Sequence, residues 1–296
     1  MAISTFTPPA PDHLPAVTRR ARPEMSVTAK VIVYVFLSVA AAGALSPLVW
    51  TIFNSLKPSI EVYGEPLELL SKNASLANYI NALSDPVFLR YTINSIVVAV
   101  AQVVGNVVLS AMAGYALAKL EFPGRRIIFG AVLATFMIPG LMLFVPQFVT
   151  VASLGMVNTY PGIILPGLVS SFSIFIMRQF MLATPTELME AARLDGAGEI
   201  RIFLTIAFPL ATPALATVGI ISFMASWNNL LWPLVVAQTQ EMFTLPIFLA
   251  FQAQAQTVPD YGLMLAGSVV MIAPIVTLFV CFQRFFIAGI ATTGIK

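Results

Sequence analysis

The sequence predicts an all-α polytopic membrane protein with six transmembrane helices. Three observations carry this. Of 296 residues, 58% are hydrophobic and only 9% are charged, whereas soluble domains carry about 25% charged residues. A water-soluble fold of this size would lack the polar surface to cover itself. Six apolar runs each approach the roughly 20 residues that a helix needs to cross a hydrocarbon core about 30 Å thick. Lysine and arginine are unevenly shared between the segments that join those runs.

The runs occupy residues 33–53, 92–117, 127–148, 163–181, 210–231 and 262–285. The polar segment 155–162 separates the third from the fourth. Pro47, Pro139, Pro146, Pro166 and Pro274 interrupt several of them. Proline is tolerated in membrane helices because neighbouring helices can re-satisfy the freed backbone groups.

With six runs, the N-terminus and the even-numbered connections share one side. That side holds 12 of the 15 cationic residues, and the other holds only Lys57, Lys72 and Arg90. Positive charge is retained in the cytoplasm, so both termini are expected there. The 13 acidic residues split seven to six, so the bias is specific to cations. Residues 1–30 read as a flexible cytoplasmic tail, polar and proline-containing, with Lys30 anchoring the first run. That run is too long for the core of a signal peptide. Residues 31–296 hold all six runs and are expected to form one transmembrane domain. The outward loop 54–91 carries a candidate short helix at 75–83, and the outward segment 235–261 is nearly uncharged and rich in glutamine.

Several chemistries are excluded. The single cysteine, Cys281, permits no intrachain disulfide. The single histidine, His13, sits in the tail, which argues against a triad or a histidine-based metal site. A phosphate-cradling loop of the G-x-x-x-x-G-K-[ST] type needs lysine after glycine. The five lysines follow Ala29, Leu56, Ser71, Ala118 and Ile295. No cofactor is therefore expected in this chain, and no catalysis.

The most informative stretch is 185–209. Pro185 suits a helix first turn and Glu187 complements its dipole. Asp195-Gly196 stops that helix, since glycine takes the left-handed conformation of a cap. A second amphipathic segment, 199–207, follows before Pro209, which is expected to open the fifth run. Ala191 and Ala192 leave no bulk, so another protein can approach closely; an ordinary amphipathic loop at the membrane surface is the competing explanation.

Glu190-Ala191-Ala192, then Gly196, then Ile206-x-Phe208-Pro209 resembles the EAA loop of ABC importer permeases, with Phe208 where that pattern has leucine. Ala113-Gly-Tyr-Ala-Leu-Ala-Lys119, Arg178-Gln-Phe180, Trp227-Asn-Asn229 and Gln283-Arg-Phe-Phe286 are similar to landmarks of the maltose/glycerol-3-phosphate type, the short six-span class. Asn229 stands where that class has aspartate. The resemblance implies the type I importer permease fold in a bacterial cell membrane. It implies a second permease subunit, a dimer of ATP-binding subunits and an external solute-binding protein as partners, with lipid around the spans and no nucleic acid. It implies that Glu190, Ala191, Ala192, Asp195 and Gly196 form the ATPase-coupling contact. It also implies that residues 294–296 reach between the ATPases.

Polar groups inside spans usually face the bundle interior. Gln102, Asn106, Ser170, Ser173, Asn228 and Asn229 are thus candidates for the substrate pathway. Hydrogen bonding between helices is the competing explanation. Gln252, Gln254 and Gln256 are candidates for contact with the binding protein, against a plain solvated loop. Amides donate and accept, which suits hydroxyl-rich solutes. No Arg or Lys lies in the middle of a span, which favours neutral sugars over phosphates. The alternative function is an ion-coupled secondary transporter, but no acidic residue lies inside any assigned span.

Overall fold

A computed structural model describes residues 26–64, 67–68, 71–254 and 260–293. Among them every regular element is helical. Most of the expected tail lies outside the described residues, as do Gln256 and residues 294–296. The chain divides into two units, one ending at Leu48 and one beginning at Val49. The described part of the first is helix α1, which runs Val27–Asn54 and so continues into the second. Val31, Tyr34, Phe36 and Val39 are exposed along it. A helix that is apolar all round is stabilised by apolar surroundings rather than by water.

In the second unit, α2 (Ser59–Gly64) and α3 (Ala77–Ser84) precede α4 (Pro86–Lys119). The Asp85 carboxylate caps α4 by accepting from the Val87 N–H at 2.9 Å, and Pro86 fills the first turn, where its missing donor is harmless. At 1.5 Å per residue α4 is about 51 Å long, and no break interrupts it. The helices at 171–183 and 212–227 pack along it. They approach closely because the interface residues are small: a Cβ on Gly114 would lie 2.6 Å from the Met177 Cβ and 2.9 Å from the Arg178 backbone nitrogen.

Three of the apolar runs are bent. α5 (Arg125–Met137) meets α6 (Gly140–Ser153) at 99°. The cause is Pro139, which forces Ile138 into an extended conformation (φ −91°, ψ 114°) that no helix contains. The run 127–148 is therefore two helices. α7 (Tyr160–Gly167) and α8 (Ser171–Ala183) meet at 45°. α9 (Glu187–Leu194) follows, and then α10 (Glu199–Leu210) meets α11 (Thr212–Trp227) at 78°. The short α12 (Leu231–Val236) and α13 (Leu245–Ala253) lead to α14 (Tyr261–Thr293). Among the described residues, Val27–Asn54, Pro86–Lys119 and Tyr261–Gln283 are each long and apolar enough to cross a membrane, and counting each of the three bent pairs as one span brings the possible crossings to six.

Candidate functional site

Residues 185–210 form two short helices around a tight turn. Thr186 is the N-cap of α9, so Pro185 precedes the helix instead of occupying its first turn. The C-terminus closes with two hydrogen bonds that satisfy otherwise orphaned carbonyls: Gly196 N–H to Arg193 C=O (3.0 Å) and Ala197 N–H to Ala192 C=O (2.9 Å). Gly196 has φ +83°, a conformation that costs other L-residues roughly 1–2 kcal/mol. The second helix does not stop before Pro209 but runs through it to Leu210. Pro209 has no N–H to donate one turn back. Just before it, Phe203–Ala207 widens into a π turn, and Phe208 N–H reaches the Phe203 carbonyl five residues behind. The bend into α11 falls at Ala211.

One side of this segment is anchored. Met189, Ile202 and Ala207 are fully buried against Met177 and Met181 of α8 and Tyr115 of α4. Each large apolar side chain so buried contributes roughly 1.5–3 kcal/mol. The other side is open. Glu190, Ala191, Asp195 and Gly196 are exposed and Ala192 is half-buried. Leu194 and Ile200 are 89% and 77% exposed, more than a segment closed upon itself would leave.

A polar clasp ties the two helices to α4. Arg193 Nε donates to Glu199 Oε1 at 2.7 Å, and the Tyr115 hydroxyl donates to Glu199 Oε2, also at 2.7 Å. The carboxylate raises the pKa of the Arg193 guanidinium above its ordinary value. One turn along α4, Lys119 Nζ donates to the Thr184 carbonyl at 2.6 Å. The ion pair is about 36% and 43% exposed, so by itself it contributes at most about 1 kcal/mol. Sequence reasoning did not single out Tyr115 or Lys119 as site residues. The available signal was two polar-tipped side chains four apart, near the end of an apolar run.

The structure brings part of the pathway set together. Gln102 Nε2 donates to the Ile163 and Ile164 carbonyls at 3.2 and 3.1 Å. Asn106 Nδ2 donates to Ser222 Oγ at 2.6 Å, and its Oδ1 accepts from Ser110 Oγ at 2.7 Å and the Ser170 N–H at 3.4 Å. Ser173 is buried on α8. Asn228 and Asn229 lie just past α11, which ends at Trp227. Asn228 bonds within its own stretch, to the Met224 carbonyl, and remains exposed. Asn229 Oδ1 accepts the Trp232 N–H at 3.3 Å and so steadies the start of α12.

At the other end of α4, Asn94 Nδ2 donates to the Glu241 and Phe243 carbonyls at 2.7 and 2.8 Å, and its Oδ1 accepts from the Tyr160 hydroxyl at 2.6 Å. Gln252 lies half-buried on α13, and Gln254 is exposed at its C-cap. The loop 54–91 is closed by polar bonds. Asn78 Nδ2 donates to the Ser55 and Lys57 carbonyls, each at 2.8 Å, and Glu61 accepts from Asn73 at 2.5 Å and from Ser71. Two of these bonds, from Asn73 and then Ser71, hold the Glu61 carboxyl below its ordinary pKa.

Comparison with known proteins places this architecture. Residues 106–292 match the family model described as "Binding-protein-dependent transport system inner membrane component". The chain is 41% identical to the arabinooligosaccharides transport system permease protein of Halalkalibacterium halodurans, over 86% of this chain and 91% of that protein. It is 34% identical to the diacetylchitobiose uptake system permease protein of Streptomyces coelicolor, over 84% and 82%. Among solved structures, a bacterial ABC transporter involved in the import of the acidic polysaccharide alginate has a chain that matches with a TM-score of 0.79 at 26% identity, covering 90% of this chain and all of that one. The chain therefore belongs to the family of binding-protein-dependent transport system inner membrane components and is a multi-pass permease subunit of an ABC importer.

Proposed function

We propose that this chain forms half of the pathway for an oligosaccharide, delivered by an external binding protein, and that residues 185–209 seat in a separate ATPase subunit. The observation that carries the reading is the two-sided build of that segment. Met189 and Ile202 fix it to the permease, while Glu190, Ala191, Asp195 and Gly196 are presented outward beside exposed Leu194 and Ile200. Cation asymmetry supports a cytoplasmic placement of the segment and of both termini. ATP and magnesium then belong to a pair of ATPase subunits, and a second permease completes the pathway.

The named solutes of the relatives support a saccharide cargo. Among the pathway candidates, Gln102, Asn106 and Ser170 are bonded across helices, which suits clasping the wall of the pathway. Ser173 belongs to the same wall. Asn229 steadies a turn. Asn228, exposed and bonded only locally, is the strongest candidate for solute contact. Gln252, Gln254 and Gln256 are proposed to face the binding protein.

Gly196→Asp tests the central point. Nothing lies within 4 Å of a Cβ built there, and the residue is exposed. The variant should therefore fold, with about 1 kcal/mol of backbone strain, yet lose uptake because a side chain now projects where the ATPase must approach. Normal uptake with normal recovery of the ATPase in the purified complex would reject the assignment.

A further inference from the structure

We infer that Tyr115 is a positioning residue for coupling: its hydroxyl ties the Arg193–Glu199 pair to α4, so that displacement of the 185–209 segment is delivered directly to that helix. The inference rests on the proposed seating of the segment in an ATPase.

Two routes lead from α9 into the permease. The covalent route passes through the left-handed turn at Gly196, the π turn at 203–207 and the 78° bend at Ala211. Each is a joint where backbone geometry changes. The lateral route meets α4 within six residues at three points. Gly114 lets the α8 backbone approach, Tyr115 holds Glu199, and Lys119 holds the Thr184 carbonyl just ahead of α9. Tyr115 is 4% exposed, and its ring lies 5.4 Å from that of Phe203, so the hydroxyl is held in place by packing. Beyond these contacts α4 has no break. It carries Asn106 and Gln102 in its middle and Asn94 at its far end, where Asn94 grips the Glu241 and Phe243 carbonyls. An unbroken helix moves as a rod, whereas three successive joints absorb motion. The geometry thus favours α4 as the receiving element. The bond at its near end is charge-assisted, the stronger class of hydrogen bond.

The test is Tyr115→Phe in the assembled transporter, with its second permease, ATPases and binding protein, in proteoliposomes. The substitution keeps the ring and removes only the donor. Solute imported per ATP hydrolysed should fall about tenfold, as expected for one lost hydrogen bond to a charged group, while the ATPases still copurify. Tyr79→Phe, which removes a 2.5 Å contact between the hydroxyl of Tyr79 on α3 and Ser55 Oγ, should leave the ratio at wild-type value. An unchanged ratio in Tyr115→Phe overturns the inference. So does loss of ATPase copurification equal to that of Gly196→Asp, because Tyr115 would then only maintain the docking surface. If Gly196→Asp itself transports normally, the seating proposal fails, and that result is separable from the Tyr115 outcome.

Discussion

Gly114 offers the sharpest packing test. Replacing it with alanine places a Cβ 2.6 Å from the Met177 Cβ and 2.9 Å from the Arg178 backbone nitrogen. Neither neighbour can rotate away, because one is backbone and the other is attached directly to it. Ordinary contact requires α4 and α8 to separate by about 1 Å, and overpacking of this kind costs about 1–3 kcal/mol. Alanine also gains up to about 1 kcal/mol of helix propensity over glycine. Gly130→Ala on α5 supplies the correction, because nothing lies within 4 Å of its Cβ. The propensity gain is common to both variants, so the difference between them isolates the contact. Thermal unfolding of the two purified proteins in detergent should place Gly114→Ala about 1–3 kcal/mol below Gly130→Ala. Equal stability would show that α4 and α8 do not meet through Gly114, and the account of the helix core would fail.

Other outcomes follow from the polar contacts. Asn106→Ala should lower stability by about 1–2 kcal/mol, since several bonds are lost and each is worth roughly 0.6 kcal/mol in a membrane bundle, while the solute concentration for half-maximal ATPase stimulation stays unchanged; a shift in that concentration would mark direct solute contact. The Glu61 link to Ser71 and Asn73 has a depressed folded-state pKa, so its contribution is present above the ordinary carboxylate range, near 4.5, and is lost as pH falls through the lower folded value. Hydrogen exchange in residues 59–64 and 71–75 should therefore be flat from about pH 5 to 8 after correction for intrinsic rates, and rise only in more acidic buffer; a rise near pH 6 would contradict this. Changing Gln252, Gln254 and Gln256 together to alanine should slow release of solute from the binding protein, and unchanged uptake would reject their proposed contact.

Much of the candidate site was legible in the sequence because its signals are local. Acidic residues after a proline, two alanines and Asp195-Gly196 describe a capped helix, and α9 and its glycine turn match that description. Hydropathy located the six apolar runs for a similar reason, since burial in lipid acts on each residue separately. What hydropathy does not report is direction. Pro139 breaks an uninterrupted apolar run by 99°, and nothing in its composition distinguishes that from a gentle kink. Pro209 reads as a boundary, yet a π turn absorbs it and the boundary moves to Ala211. Tyr115 and Glu199 stand 84 positions apart, and only the packing of α4 beside α10 makes them partners. Asn106 was visible as a polar residue in a span. Its bond to Ser222, 116 positions away, depends on the fold.

The central claim is that residues 185–209 face an ATPase subunit. Site-directed cross-linking measures this directly. With Cys281 replaced by serine, Ala191→Cys and Leu194→Cys should each form a short cross-link to the ATP-binding subunit in membranes, whereas Ile202→Cys, fully buried in this chain, should form none. Cross-linking from the exposed positions that captures only lipid or the second permease, with the ATPase unlabelled, would contradict the account.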